Sequence, residues 1–176
     1  MVETIEELDF SMKISKNELL SVLKNEASRI HIHDIMLASS YIHEDAKYMH
    51  AGYREEFIET FTKAFIKRFK DIREDKGNYE GYINSKKLQE FLEVLNKQIK
   101  GSKIKSEHYF LKLAKIVSIY TTFILEASIH PVGTSFPGGF KLKFEKGTYL
   151  CPVKEKNMET PGALCKFCVS KQDKDV

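Results

Sequence analysis

Phe57, Ile58, Phe61, Phe65 and Phe69 recur at steps of one to four residues, while Glu55, Glu59, Lys63, Lys67 and Lys70 fall on other sides of the same stretch. Apolar residues three and four apart share one face of a helix, so this is the pattern of an amphipathic helix. Each phenylalanine on such a stripe takes on the order of 150–250 Å² out of water when it is buried. The chain is therefore committed to a packed helical core around residues 53–73. Phenylalanines at this spacing are read as core residues and not as a ligand-binding box.

Four further segments carry the same period. Ser15 precedes Glu18 by three residues, the capping-box spacing, and Leu19, Leu20 and Leu23 follow, so a helix begins there. A second helix is expected over residues 30–48. A fourth covers residues 85–100, with Asn84 as its N-cap, a stripe of Leu88, Phe91, Leu92, Leu95 and Ile99, and Gly101 as its stop. A fifth covers residues 106–128 and is apolar on nearly every face, which places it at the centre of the bundle. Residues 1–14 read as a loose lead-in.

At His130 the character changes. Pro131, Gly133, Pro137, Gly138 and Gly139 forbid a continuing helix. Phe140, Leu142 and Phe144 then alternate with Lys141 and Lys143, a strand pattern of period two. Lys146-Gly147 turns the chain and residues 148–151 return as a hairpin. The expected fold is mainly α: a bundle of about five helices with a short C-terminal β-hairpin and a cysteine knuckle. It divides into residues 1–129 as the bundle and 130–176 as a hairpin and knuckle packed on it, one compact domain overall. The 176 residues suffice to bury a core without disulfides.

All three cysteines lie in the knuckle: Cys151-Pro152, then Cys165-Lys166-Phe167-Cys168. A C-x-x-C step places two thiols near one ion, and the hairpin brings the third alongside. Zinc takes four N or S ligands in a tetrahedron. The expected metal ligands are Cys151, Cys165 and Cys168, with His130 as first choice for the fourth. The other reading of His130 is a polar group at a helix end. Zinc is the favoured ion, with an iron–sulfur cluster as the alternative, since clusters are also held by thiolates and could leave an iron open for chemistry. A redox C-x-x-C ranks behind both, because that motif belongs to a βαβ setting. Plain buried thiols, or a nucleophilic pairing of His130 with Cys151 in a metal-free protein, complete the set.

The formal net charge of +3 lies wholly in residues 141–176. An ion with charge +2 on three thiolates leaves −1, which neighbouring lysines would offset. Lys97, Lys100, Lys103, Lys105, Lys112 and Lys115 form a second basic stretch. It lacks interleaved aromatic platforms, so a solvated face is favoured over nucleic-acid contact. His31, His33, Asp34, His43 and His50 show no Glu-x-x-His pairing, and capping or surface roles are favoured for them. Arg54 is read as holding either an anion or one of the carboxylates of Glu55 and Glu56, with the structural ion pair favoured. The N-terminus is acidic and carries no leader pattern. The apolar run of residues 109–129 is interrupted by Lys112, Lys115 and Glu126, against a membrane span of ~20 uncharged residues. A cytoplasmic protein is expected. The residues name no substrate, and a protein partner is compatible with all of this.

The segments His130-Pro131-Val132-Gly133-Thr134, Phe136-Pro137-Gly138-Gly139, Cys151-Pro152-Val153-Lys154 and Ala163-Leu164-Cys165-Lys166-Phe167-Cys168 resemble a family of methanogenic archaea described as a domain of unknown function. Ile32-His33-Asp34-Ile35 and Tyr53-Arg54 resemble it too, so the likeness spans most of the chain. It implies an archaeal cytoplasmic protein of about this length and no particular activity.

Overall fold

Helix α1 (Lys16–Ser28) starts where its cap predicts: the Ser15 hydroxyl accepts the Glu18 N–H at 3.1 Å. Helices α2 (Ile32–Ala46), α3 (Ala51–Glu74), α4 (Ser85–Gly101) and α5 (Lys105–Ile119) follow, in a computed structural model that describes residues 1–176. Asn84 caps α4 by accepting from Lys87 N at 3.0 Å. The expected fifth helix is shorter than its apolar pattern. Its last turn, Tyr120–Ile124, widens to a π-helix and ends there, with all five residues buried. Leu113, Ile116 and Ile119 are buried at the centre, as the all-round apolar pattern requires.

The C-terminal part holds β1 (Lys143–Glu145), β2 (Thr148–Cys151), a single-turn helix α6 (Lys154–Asn157) and β3 (Lys171–Gln172). Strands β1 and β2 form the expected hairpin, antiparallel, with Lys143 opposite Leu150. A third strand joins them: β3 runs parallel to β2 and sets Gln172 opposite Cys151. The hairpin rests on Leu142, 2% exposed, whereas Phe140 and Phe144 stay exposed. Phe144 packs across the hairpin on Tyr149, ring centroids 4.6 Å apart.

The N-terminal lead-in is no loose arm. Ile5, Leu8 and Ile14 are in the core. The segment is tied down by its acids: Glu3 pairs with Arg29 at 2.7 Å, and Glu6 with Lys115. Lys115 is almost wholly buried on α5, and burial pushes its ammonium down to about 8 despite the bonds to Glu6 and Asn96.

Asp75, just past α3, joins three parts of the chain. One carboxylate oxygen accepts from Tyr120 OH at 2.6 Å and Tyr79 OH at 2.8 Å; the other accepts from Gly77 N at 2.6 Å. Lys24 of α1 bonds the Asp75 carbonyl. Burial opposes ionisation, but the bonds from Tyr120, Gly77 and Tyr79, with Lys24 nearby, outweigh it and hold the carboxyl below its ordinary value. A depressed carboxylate adds stability above its unfolded pKa, near ~4, and that contribution is lost as pH falls through the lower folded value. Tyr120→Phe should therefore cost about 1–2 kcal/mol at pH 7. In urea titrations the gap to wild type should narrow as pH falls below the unfolded carboxylate value and through the lower folded one. A gap unchanged at low pH would exclude the charged bond as its source.

Candidate functional site

Strand β2 ends on Cys151, which is buried, and its carbonyl accepts the Asp173 N–H at 3.0 Å. The chain then makes α6, loops out, and returns through a tight turn at residues 164–168. There Phe167 N and Cys168 N both donate to the Leu164 carbonyl, at 3.0 and 3.2 Å. Two contacts hold this C-x-x-C turn in place. From α6, the Lys154 ammonium donates to the carbonyls of Cys165 and Cys168. Phe167, 3% exposed, drives into the bundle and meets Phe91 of α4 at 5.1 Å between ring centroids.

His130 arrives from the segment that follows the π-turn. Its ring lies between Phe136, at 5.6 Å, and Phe61 of α3, at 6.4 Å. Burial lowers its pKa, which favours the neutral imidazole, the form that binds metals. The neighbouring Ile129 N–H points at Cys168 Sγ, 3.4 Å away, and Ser170 Oγ lies 3.2 Å from the same sulfur.

Cys151, Cys165, Cys168 and His130 all line one cavity of about 400 Å³ between α3, α4, α5 and the knuckle. Much of its remaining lining is apolar, with Phe61 and Phe65 from α3 and Phe110 and Leu111 from α5. Burial pushes the Cys151 and Cys165 thiols up, and each feels the neighbouring sulfurs as a further upward push, while Lys154 pulls both down. All three thiols are free. They do not form a ready-made metal cluster: nowhere do three His, Cys, Asp or Glu side chains stand grouped to hold a metal ion. What the fold assembles is a shared wall of four donor-bearing residues from three stretches of chain.

Lys154 and Arg68 belong to this cavity and escaped the sequence reading. Lys154 follows Cys151 by three residues, so its place in the Cys151-Pro152-Val153-Lys154 segment was a usable signal. Arg68 gives none, because its position on the wall depends on how α3 packs.

Among the remaining candidates, His31, His50 and Arg54 make local structural contacts. His31 precedes α2, and its N–H donates to the Asp34 carboxylate at 2.8 Å. His50 caps α3, with Nδ1 accepting Gly52 N at 3.1 Å. His33 and His43 are exposed. Arg54 pairs with neither Glu55 nor Glu56. It donates to the carbonyls of Lys47 and Met49, at 3.2 and 2.8 Å, because its side chain folds back over the turn between α2 and α3. In the basic stretch Lys115 is buried, so it drops out of that face, while Lys97, Lys100, Lys103, Lys105 and Lys112 are exposed. Gly138 and Gly139, with φ of 92° and 81°, form the tight turn before the hairpin. No helix is long and apolar enough to cross a membrane.

A family described as "Uncharacterized protein conserved in archaea (DUF2115)" matches residues 15–173, from the cap of α1 to the residue that closes the sheet. The chain belongs to that family. A UPF0305 protein of Methanothermobacter thermautotrophicus is 47% identical over 163 residues, covering 93% of this chain and 99% of the relative. Another, from Methanocaldococcus jannaschii, is 34% identical over 156 residues, 88% of this chain and 94% of its own length. A third, from Methanopyrus kandleri, is 29% identical and covers 74% of this chain and 92% of the relative. The family match thus takes in both the helical bundle and the cysteine knuckle. No solved structure matches the chain.

Proposed function

We propose that this member of the archaeal family is a cytoplasmic metal-binding module in which Cys151, Cys165, Cys168 and His130 close on one zinc ion at the cavity wall. The observation that carries this is the convergence of all four residues on one cavity from separate stretches of chain. Thiol rotamers are soft, and a site of this kind reaches its final geometry when the ion displaces the thiol protons. Zinc with three thiolates and an imidazole satisfies tetrahedral S and N coordination and carries −1, which the Lys154 ammonium offsets. An odd number of free thiols suits a reducing compartment. The ion pins residues 130–168 to the bundle, and the module binds or regulates through the cavity beside it.

A second reading has its own support. The three cysteines line a cavity of about 400 Å³, which would leave room for an exogenous ligand on the metal. That arrangement suits an open-site metal or an iron–sulfur cluster with chemistry at the free position. Elemental analysis and an absorption spectrum of protein purified without oxygen, from cells supplied with zinc and iron, separate the two. About one zinc per chain without colour is expected. Iron with sulfide and a broad brown absorption would transfer the site to the second reading, and neither metal would overturn both. His130→Ala should abolish zinc retention in a closed site; unchanged retention would place the imidazole outside the ligand set.

A further inference from the structure

Leaving the thiols aside, the charged residues that line the cavity are all cations. Among its lining residues are the cations Arg68 and Lys154, and none is an aspartate or glutamate. The two cations differ in what they already hold. Lys154 spends its ammonium on the carbonyls of the C-x-x-C turn. Arg68 has only a distant carboxylate neighbour, Asp71, at 3.9 Å. That carboxylate accepts two closer contacts from Lys67, at 2.8 and 3.1 Å. Arg68 thus carries a planar fork of donors, about two-thirds shielded from water, at the edge of an apolar chamber. A guanidinium in that position is a bidentate receptor for a carboxylate or phosphate. The chamber beside it falls in the range of small-ligand pockets, ~300–1,000 Å³.

We infer that the cavity binds an organic anion with an apolar body, its carboxylate or phosphate head held by Arg68 and its body laid against Phe61, Phe65, Phe110 and Leu111. The inference rests on the same cavity as the metal proposal but not on the metal, since Arg68 takes no part in the ligand set. The head supplies the specificity, because a neutral molecule of the same shape gains the apolar wall without the charged bonds. The body supplies the affinity, by the area it removes from water.

Calorimetric titration of the full chain, as purified, with decanoate, decyl phosphate and 1-decanol tests this. One of the two anions should bind at least about tenfold more tightly than the alcohol, the scale of a charge-assisted bond. Whichever anion binds more tightly identifies the head group. Arg68→Gln should bring both anions down to the affinity of the alcohol, and Arg68→Lys should keep part of the difference. Ala64→Leu, which fills part of the chamber, should weaken all three. Equal affinity for anion and alcohol in the wild type, no binding of any of them, or an anion preference that survives Arg68→Gln would overturn the inference. Metal content read on the same samples keeps the two proposals apart: an Arg68→Gln protein should lose the preference and keep its metal.

Discussion

Phe91→Ala will lower the unfolding free energy by about 3–5 kcal/mol, the range for deleting a buried phenylalanine. Phe91 is wholly buried, and its ring is where the two parts of the chain meet. It stands edge-on to Phe123 of the π-turn, at 5.6 Å, and to Phe167 of the C-x-x-C turn, at 5.1 Å. Removing it leaves a cavity between three elements that cannot easily collapse, since α4 and α5 are fixed by their own packing. The loss should therefore fall at the upper part of the range. Phe91→Leu keeps most of the volume and should cost far less, about 1–1.5 kcal/mol. The alanine variant should also free the knuckle before the bundle melts. In metal-free protein below the urea transition, Cys165 and Cys168 should react with iodoacetamide several-fold faster than in wild type. Urea denaturation reads the first effect and mass spectrometry the second. A loss under about 1 kcal/mol would mean that the knuckle does not pack on Phe91 as described.

The helices were legible because their apolar residues obey the helical period and because Ser15 and Asn84 announce two of the starts. Their limits were less so. Tyr120, Thr121 and Thr122 continue an apolar stretch, and nothing in it says that the helix should widen and stop. Residues 1–14 hid their role because Ile5, Leu8 and Ile14 have no common period and stand among acids. Those acids look solvated until Arg29 and the buried Lys115 are seen opposite them. Strand β3 is two residues long and polar, too short for any alternation to show.

The candidate site divides in the same way. Cysteine spacing is a local signal, and it led to Cys151, Cys165 and Cys168; the proline after His130 marked the other residue of the cavity wall. Arg68 and the aromatic wall come together only through the packing of α3, α5 and the knuckle. Sequence spacing carries no trace of that packing. The histidines of residues 31–50 carry no comparable local signal, since their residue types serve equally well as caps: His50 caps a helix, and the His31 N–H meets the Asp34 carboxylate.

A Cys165→Ser, Cys168→Ser double variant will lose bound metal altogether and melt well below the metal-loaded wild type. The backbone of the turn should survive, because Lys154 grips the carbonyls of both positions and not their sulfurs. Serine is close in size to cysteine, and its hydroxyl can still accept the Ile129 N–H that now reaches Cys168. The fold therefore remains, and the deficit is that of the ion alone. An ion bound only by the native state stabilises it by RT ln(1 + [L]/Kd), about 4 kcal/mol when free metal exceeds Kd a thousandfold. Wild type treated with a chelator should consequently melt with the variant, within a degree or two. Acid should have the same effect as the chelator. Burial raises the Cys151 and Cys165 thiols, so protons compete strongly for them. The melting advantage of the loaded wild type should shrink as pH falls from about 7 towards 5, the direction expected when binding must expel thiol protons. A double variant that kept both its metal and its melting temperature would remove these cysteines from the site. A wild type that melted alike with and without chelator, while still binding one ion, would leave the site standing but deprive it of a structural role, and the open position facing the cavity would become its purpose.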